Sequence, residues 1–116
     1  MKTKIIYSLV FPDNKRYIGQ TVDIVSRLAL HKTSHNAVNF YGKDKKLAPK
    51  TALADAFKRF KWSEIRLEFL CVCSAINADK REVYFMNKFD TVAPSGYNMV
   101  AERKGWRKRL LGIGDE

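Results

Sequence analysis

The strongest constraint on this chain is a pair of strand-forming runs joined by a tight turn. Lys4 to Phe11 is dense in β-branched and aromatic residues, Pro12-Asp13-Asn14 is a turn signal, and Arg16 to Gln20 reads as the returning strand. In the first run Ile5, Tyr7 and Leu9 fall on one face and Ile6 and Val10 on the other. A strand apolar on both faces is expected at the centre of a sheet, covered from both sides.

Helical segments farther along the chain supply the cover. Thr21 or Asp23 is placed to cap a helix running to about Thr33, with Val22, Val25, Leu28 and Ala29 at helical spacing and expected to face the core. Residues 34 to 48 are polar and basic and read as an exposed loop. Pro49 suits the first turn of a second helix carrying Leu53, Ala54, Phe57 and Phe60 inward. Ile65 to Cys73 reads as a third strand. A third helix starts at Asn77 or Asp79 and ends near Asp90, before a turn at Pro94-Ser95-Gly96. The order strand, strand, helix, helix, strand, helix predicts an α+β domain, a small antiparallel three-stranded sheet flanked by helices.

At 116 residues and 46% apolar composition the chain holds one domain with one closed core. The division expected is a catalytic-size unit over residues 1–100 and a basic C-terminal tail over 101–116. No apolar run is long enough to span a bilayer, and Met1-Lys2-Thr3 leads straight into a strand, so no membrane partner and a cytoplasmic, reducing setting are expected. Cys71 and Cys73 share one strand face, where a disulfide between them would be strained, and are read as reduced core residues. Lysine and arginine outnumber the acids 22 to 12, for a net charge of +10. So basic a surface attracts polyanions, of which nucleic acid is the foremost, but charge by itself says nothing about catalysis.

Chemistry-bearing side chains recur at telling spacings. Arg27 and His31 are four apart on the first helix and share a face. Arginine grips phosphate with two parallel bonds and stays protonated, and histidine exchanges a proton near neutral pH; spacing alone favours a solvated helix face. His31 and His35 are also four apart, but the local sequence lacks the glutamate of a zinc-protease helix. Glu82 precedes Phe85, Met86 and Phe89 by three, four and seven residues, which puts a carboxylate on the expected buried face of the third helix. Such a group is neutralised, ion-paired or bound to a cation. Tyr7 and Tyr17 lie on the two strands of the hairpin; with an unperturbed pKa of about 10, a tyrosine acts as a base only beside a cation.

Taken in order, Tyr7, the Tyr17-Ile18-Gly19 triplet, Arg27 and His31 on a helix, Glu82 on a later helix and Asn98 after Gly96-Tyr97 resemble the GIY-YIG nuclease pattern. The resemblance runs from about Lys4 to Asn98. Arg81-Glu82-Val83-Tyr84-Phe85 and Ser95-Gly96-Tyr97-Asn98 are similar to the acidic-helix and closing motifs of phage-type homing endonucleases in that family. The first triplet departs from the pattern: Ile5-Ile6-Tyr7 has isoleucine in place of glycine, a substitution a strand position should tolerate.

The resemblance implies an endonuclease that hydrolyses DNA by single-metal, in-line attack, one strand per active site. Glu82 would be the one protein carboxylate on a Mg²⁺ or Mn²⁺ ion, Arg27 would hold the phosphate, and Tyr7 would be the base for the attacking water. Tyr17 and His31 would bond the phosphate, the water or each other and could exchange the base role with Tyr7. Asn98 would orient the site, and Gly19 would let the hairpin backbone pass close to the cleft. Lys43, Lys45, Lys46 and Lys50, with Arg103, Lys104, Arg107, Lys108 and Arg109 of the tail, are placed to lie along DNA phosphates. Specificity would come from these segments, from a homodimer or from a separate partner. The rival reading is a module of the same fold that binds DNA without cutting it.

Overall fold

A computed structural model of the chain describes residues 2–41 and 51–99. Three strands, β1 (Thr3–Val10), β2 (Arg16–Thr21) and β3 (Arg66–Ser74), form one antiparallel sheet in the order β2-β1-β3. Helices α1 (Ile24–Tyr41) and α2 (Ala52–Arg59) lie on one face and α3 (Ala78–Lys88) on the other. The chain adopts the expected α+β architecture, with its first strand at the centre.

Alternation along β1 divides the core in two, because successive side chains point to opposite faces. Tyr7, Leu9 and Phe11 pack with Ala56, Phe57 and Tyr97 beneath α1 and α2, and Ile6 and Ile18 pack with Ala78 and Met86 beneath α3. β3 pairs with β1 through a register shift: Ile6 pairs with Cys71 but Tyr7 pairs with Phe69, so Leu70 is the extra residue of a bulge. Leu70, Cys71 and Cys73 all pack toward α3, the cysteines as free thiols. Ile5 sits in an ordinary ladder position between Thr21 and Val72, so the missing glycine leaves the strand intact.

The first helix corrects two expectations. It continues to Tyr41, through residues 34–41, whose polar composition predicts a loop. Its inward face is only in part the one hydropathy selects: Leu28 packs on the core beside Ile24, but Val22, Val25 and Ala29 are exposed and His31 and His35 are buried. The physical reason is that the two buried histidines find polar partners, and the exposed Asn39 adds a bond to the neighbouring helix. His31 meets the Tyr7 hydroxyl, His35 Nε2 lies 2.7 Å from the Phe60 carbonyl, and Asn39 Nδ2 donates to the Phe57 carbonyl at 2.9 Å. A paired polar group does not carry the burial penalty that a hydropathy pattern assumes. Asp23 is the residue that caps α1, its Oδ1 accepting from the amides of Val25 and Ser26. The second helix starts with Thr51 as its cap, which accepts from the Ala54 amide; Pro49 lies outside the described residues.

Candidate active site

β2 carries different chemistry on its two faces. Tyr17 and Gly19 face α1 with Tyr7, and Arg16 and Gln20 face α3 with Ile6 and Ile18.

On the α1 face the Tyr7 hydroxyl and His31 Nε2 are 2.7 Å apart. Tyr7 is 0% exposed and His31 8%. Tyr17, half-buried, stands edge-on to the same imidazole, with ring centroids 5.7 Å apart. The Tyr7 ring reaches His31 because it lies directly over Gly19, its cross-strand partner: a β-carbon at Gly19 would fall on the Tyr7 ring and hydroxyl. Gly19 therefore makes room for a tyrosine within the sheet. Burial, aided by the Arg27 charge, pulls the His31 pKa down to about 4. His31 is consequently neutral at physiological pH, able to accept a proton at one ring nitrogen while the other holds one. Arg27, half-buried on the same side of α1, is close enough to act on His31 electrostatically, as the four-residue spacing requires.

On the α3 face Gln20 joins the strand to the helix. Its Nε2 donates to Asp79 Oδ1 at 2.8 Å and to Glu82 Oε2, and its Oε1 accepts from Lys4 Nζ at 3.0 Å. Glu82 is half-buried and is thus positioned by an amide; in this contact it is not locked to an arginine. Asp79 and Glu82, three apart on α3, share one flank of the helix. The i,i+3 spacing of these acids was the available signal for Asp79. Nothing in the sequence singles out Gln20 or Lys4, because their role is visible only once β2 and α3 are packed together.

Asn98 serves the strand itself. It is fully buried; its Oδ1 accepts from the Ile18 amide at 2.8 Å and from Thr91 Oγ1 at 2.7 Å, and its Nδ2 donates to the Ile18 carbonyl at 2.9 Å. With the Tyr97 amide donating to the Arg16 carbonyl, the closing segment covers the outer edge of β2 at alternate residues, as a neighbouring strand would. Gly96 permits this, since a β-carbon there would collide with the Thr91 backbone. Tyr97 anchors the other end: its hydroxyl donates to Asp13 and accepts from Arg59, and burial together with the Asp13 carboxylate pushes its pKa up to about 12.

The structure thus gathers Tyr7, Tyr17 and His31, with Arg27 beside them, on one face and places Glu82 on the other. The two groups approach one another only around the edge strand. Arg27 comes six residues after the C-terminal end of β2, and Glu82 is tied to that same end through Gln20. Among the described residues no three His, Cys, Asp or Glu side chains converge on a point. The donor set fits a small hard cation, which binds through one or two carboxylates and fills its remaining positions with water and substrate phosphate. Glu82, with Asp79 beside it, would hold such an ion. His31 and His35 are each engaged separately and do not form a ligand pair. Lys43, Lys45, Lys46, Lys50, Arg103, Lys104, Arg107, Lys108 and Arg109 lie outside the described residues.

The sequence matches the family model described as the GIY-YIG catalytic domain over residues 3–98. No curated protein and no solved structure matches the chain.

Proposed function

The chain belongs to the GIY-YIG catalytic-domain family of nucleases, and on that premise we propose that it is a divalent-metal-dependent endonuclease hydrolysing DNA phosphodiester bonds, one strand per active site. The observation that carries this reading is that one short strand, β2, ties together the tyrosine–histidine cluster and the carboxylate of Glu82.

Each residue has a task suited to its surroundings. Arg27 holds the scissile phosphate through paired N–H bonds and offsets the charge that grows on it. Neutral His31 takes the proton that water releases, directly or through the Tyr7 hydroxyl 2.7 Å away. Tyr17 is the member of the cluster that reaches solvent and orients the water and the phosphate. Gln20 fixes the Glu82 carboxylate, and Asn98 fixes β2 without touching the reacting atoms. A Mg²⁺ or Mn²⁺ ion held by Glu82 would polarise the phosphate and neutralise the leaving oxygen. Cutting both strands takes a second copy or a second nick.

The test is nicking of supercoiled plasmid with Mg²⁺ by the wild type and by Glu82→Ala. Nicked circles are expected from the wild type, chelator is expected to stop their formation, and the variant should yield none. Equal nicking by Glu82→Ala would remove that residue as the ligand. A wild type that binds plasmid but leaves it intact with every divalent cation would make the chain a binding module.

A further inference from the structure

The side of α3 turned away from the sheet carries a second feature. α3 buries Ala78, Val83 and Met86, and it turns Lys80, Arg81, Tyr84 and Lys88 to solvent. At 3.6 residues per turn these four residues, with Asn77, fall within one stripe along the helix. Asn77, Lys80, Arg81 and Tyr84 line a shallow open depression of about 290 Å³. None of the three cations is in an ion pair with another described residue. Tyr84 stands among them at 55% exposed, a large aromatic side chain left in water.

The position of the charges is informative. Lys80 and Arg81 sit in the first turn of α3, where the helix dipole is positive and cations are disfavoured. Helix stability therefore gives no reason for them to be there; Asp79, the acid of the same turn, is hydrogen-bonded to Gln20 on the sheet side, so the charges of the outer stripe itself are cationic. The stripe from Lys80 to Lys88 spans about 12 Å of helix axis. Duplex DNA presents a charge about every 1.7 Å of its length, so several phosphates lie within reach of such a span. Arg81, one residue before Glu82, lies about 100° round the same rigid helix from it, and the rest of the stripe lies farther round still.

We propose that this outer face of α3, formed by Lys80, Arg81 and Lys88 around Tyr84, is a docking surface for the DNA backbone. The inference rests on the reading of the chain as a DNA nuclease and adds to it a binding surface. The lysines and arginine neutralise consecutive phosphates, and the Tyr84 ring packs on a sugar or an unstacked base between them. Because α3 also carries Glu82, a strand gripped here is held in a fixed relation to the candidate catalytic carboxylate.

Binding of a fluorescent DNA duplex by the full chain, followed by anisotropy in chelator over a range of salt, tests the surface without calling on catalysis. The triple variant Lys80→Ala/Arg81→Ala/Lys88→Ala is expected to bind at least about tenfold more weakly and to flatten the dependence of log K on log salt by about 0.9 for each phosphate left without its cation. Tyr84→Ala should weaken binding and leave that slope unchanged. A control variant of equal net charge, Lys32→Ala/Lys58→Ala/Lys61→Ala, should keep most of the wild-type affinity. Wild-type affinity and slope in the α3 variant, or an equal reduction in the control, would overturn the surface while leaving the nuclease reading in place. Failure of the wild type to bind DNA at all would remove both.

Discussion

Gln20, on the edge strand, hydrogen-bonds the carboxylate of Glu82 across the strand–helix interface. The same amide nitrogen also reaches Asp79, and Lys4 holds the amide oxygen, so the side chain has little freedom to turn. Replacing a residue that orients a metal ligand from behind typically costs about 10–100-fold in metal affinity. Gln20→Leu should therefore raise the Mn²⁺ concentration for half-maximal nicking by about tenfold and recover much of its rate at saturating metal. Unchanged metal dependence would show that Gln20 does not position Glu82 for a cation.

Neutral, buried His31 gives the fold a dependence on acid. Unfolded, the imidazole takes a proton below its ordinary pKa of 6.5; folded, it resists protonation down to about 4. Between those values the unfolded chain binds more protons, so stability falls as the pH drops through that window and levels off beneath it. At about 1.36 kcal/mol per pH unit the loss is on the order of 3 kcal/mol. His31→Gln, which keeps a polar partner for Tyr7, should show a flatter urea midpoint between about pH 7 and about pH 4.5. Arg27→Met should raise the His31 pKa, read by NMR titration, because the guanidinium is one of the two causes that depress it.

Gly19→Ala forces a methyl group into the Tyr7 ring. Overpacking of this kind typically costs about 1–3 kcal/mol. Most of that cost should disappear in a Tyr7→Ala background, where nothing lies over the glycine. Chemical denaturation of the two single variants and the double variant measures the coupling. Additive effects would mean that Gly19 serves something other than the Tyr7 ring.

Asn98→Ala leaves the amide and carbonyl of Ile18 without their partner at the strand edge. Each buried backbone group so orphaned costs about 1–3 kcal/mol. Hydrogen exchange at the Ile18 amide should accelerate markedly, and Asn98→Asp, which keeps an acceptor but loses the donor, should recover only part of the stability. Exchange at wild-type rates in Asn98→Ala would place the support of β2 elsewhere.

The sheet, the helix order and the division of β1 into two faces are legible in the sequence because alternation in a strand is a local signal. The ordered set of Tyr7, Tyr17, Arg27, His31 and Glu82 is legible through its resemblance to a family. Relations that depend on pairing are not. The hydropathy of α1 points to Val22, Val25, Leu28 and Ala29, of which Leu28 alone faces the core, because a scale scores His31 and His35 as polar and cannot see that each has a partner inside. Gln20 and Lys4 look like ordinary strand polarity until α3 is packed over them. The hydrogen bonds by which Asn98 holds the backbone of Ile18 at the edge of β2 are likewise visible only once the closing segment is packed.

The alternation along β2 has a further consequence for how this protein can vary. Tyr17 and Gly19 project to one side and Gln20 to the other, so parity along the strand keeps the phenol cluster and the amide that steadies Glu82 apart. Deleting or inserting one residue between Tyr17 and Gln20 would invert the remainder of the strand, turning one half of the centre inward and the other out of reach. Between Tyr17 and Gln20 this strand has to keep its count.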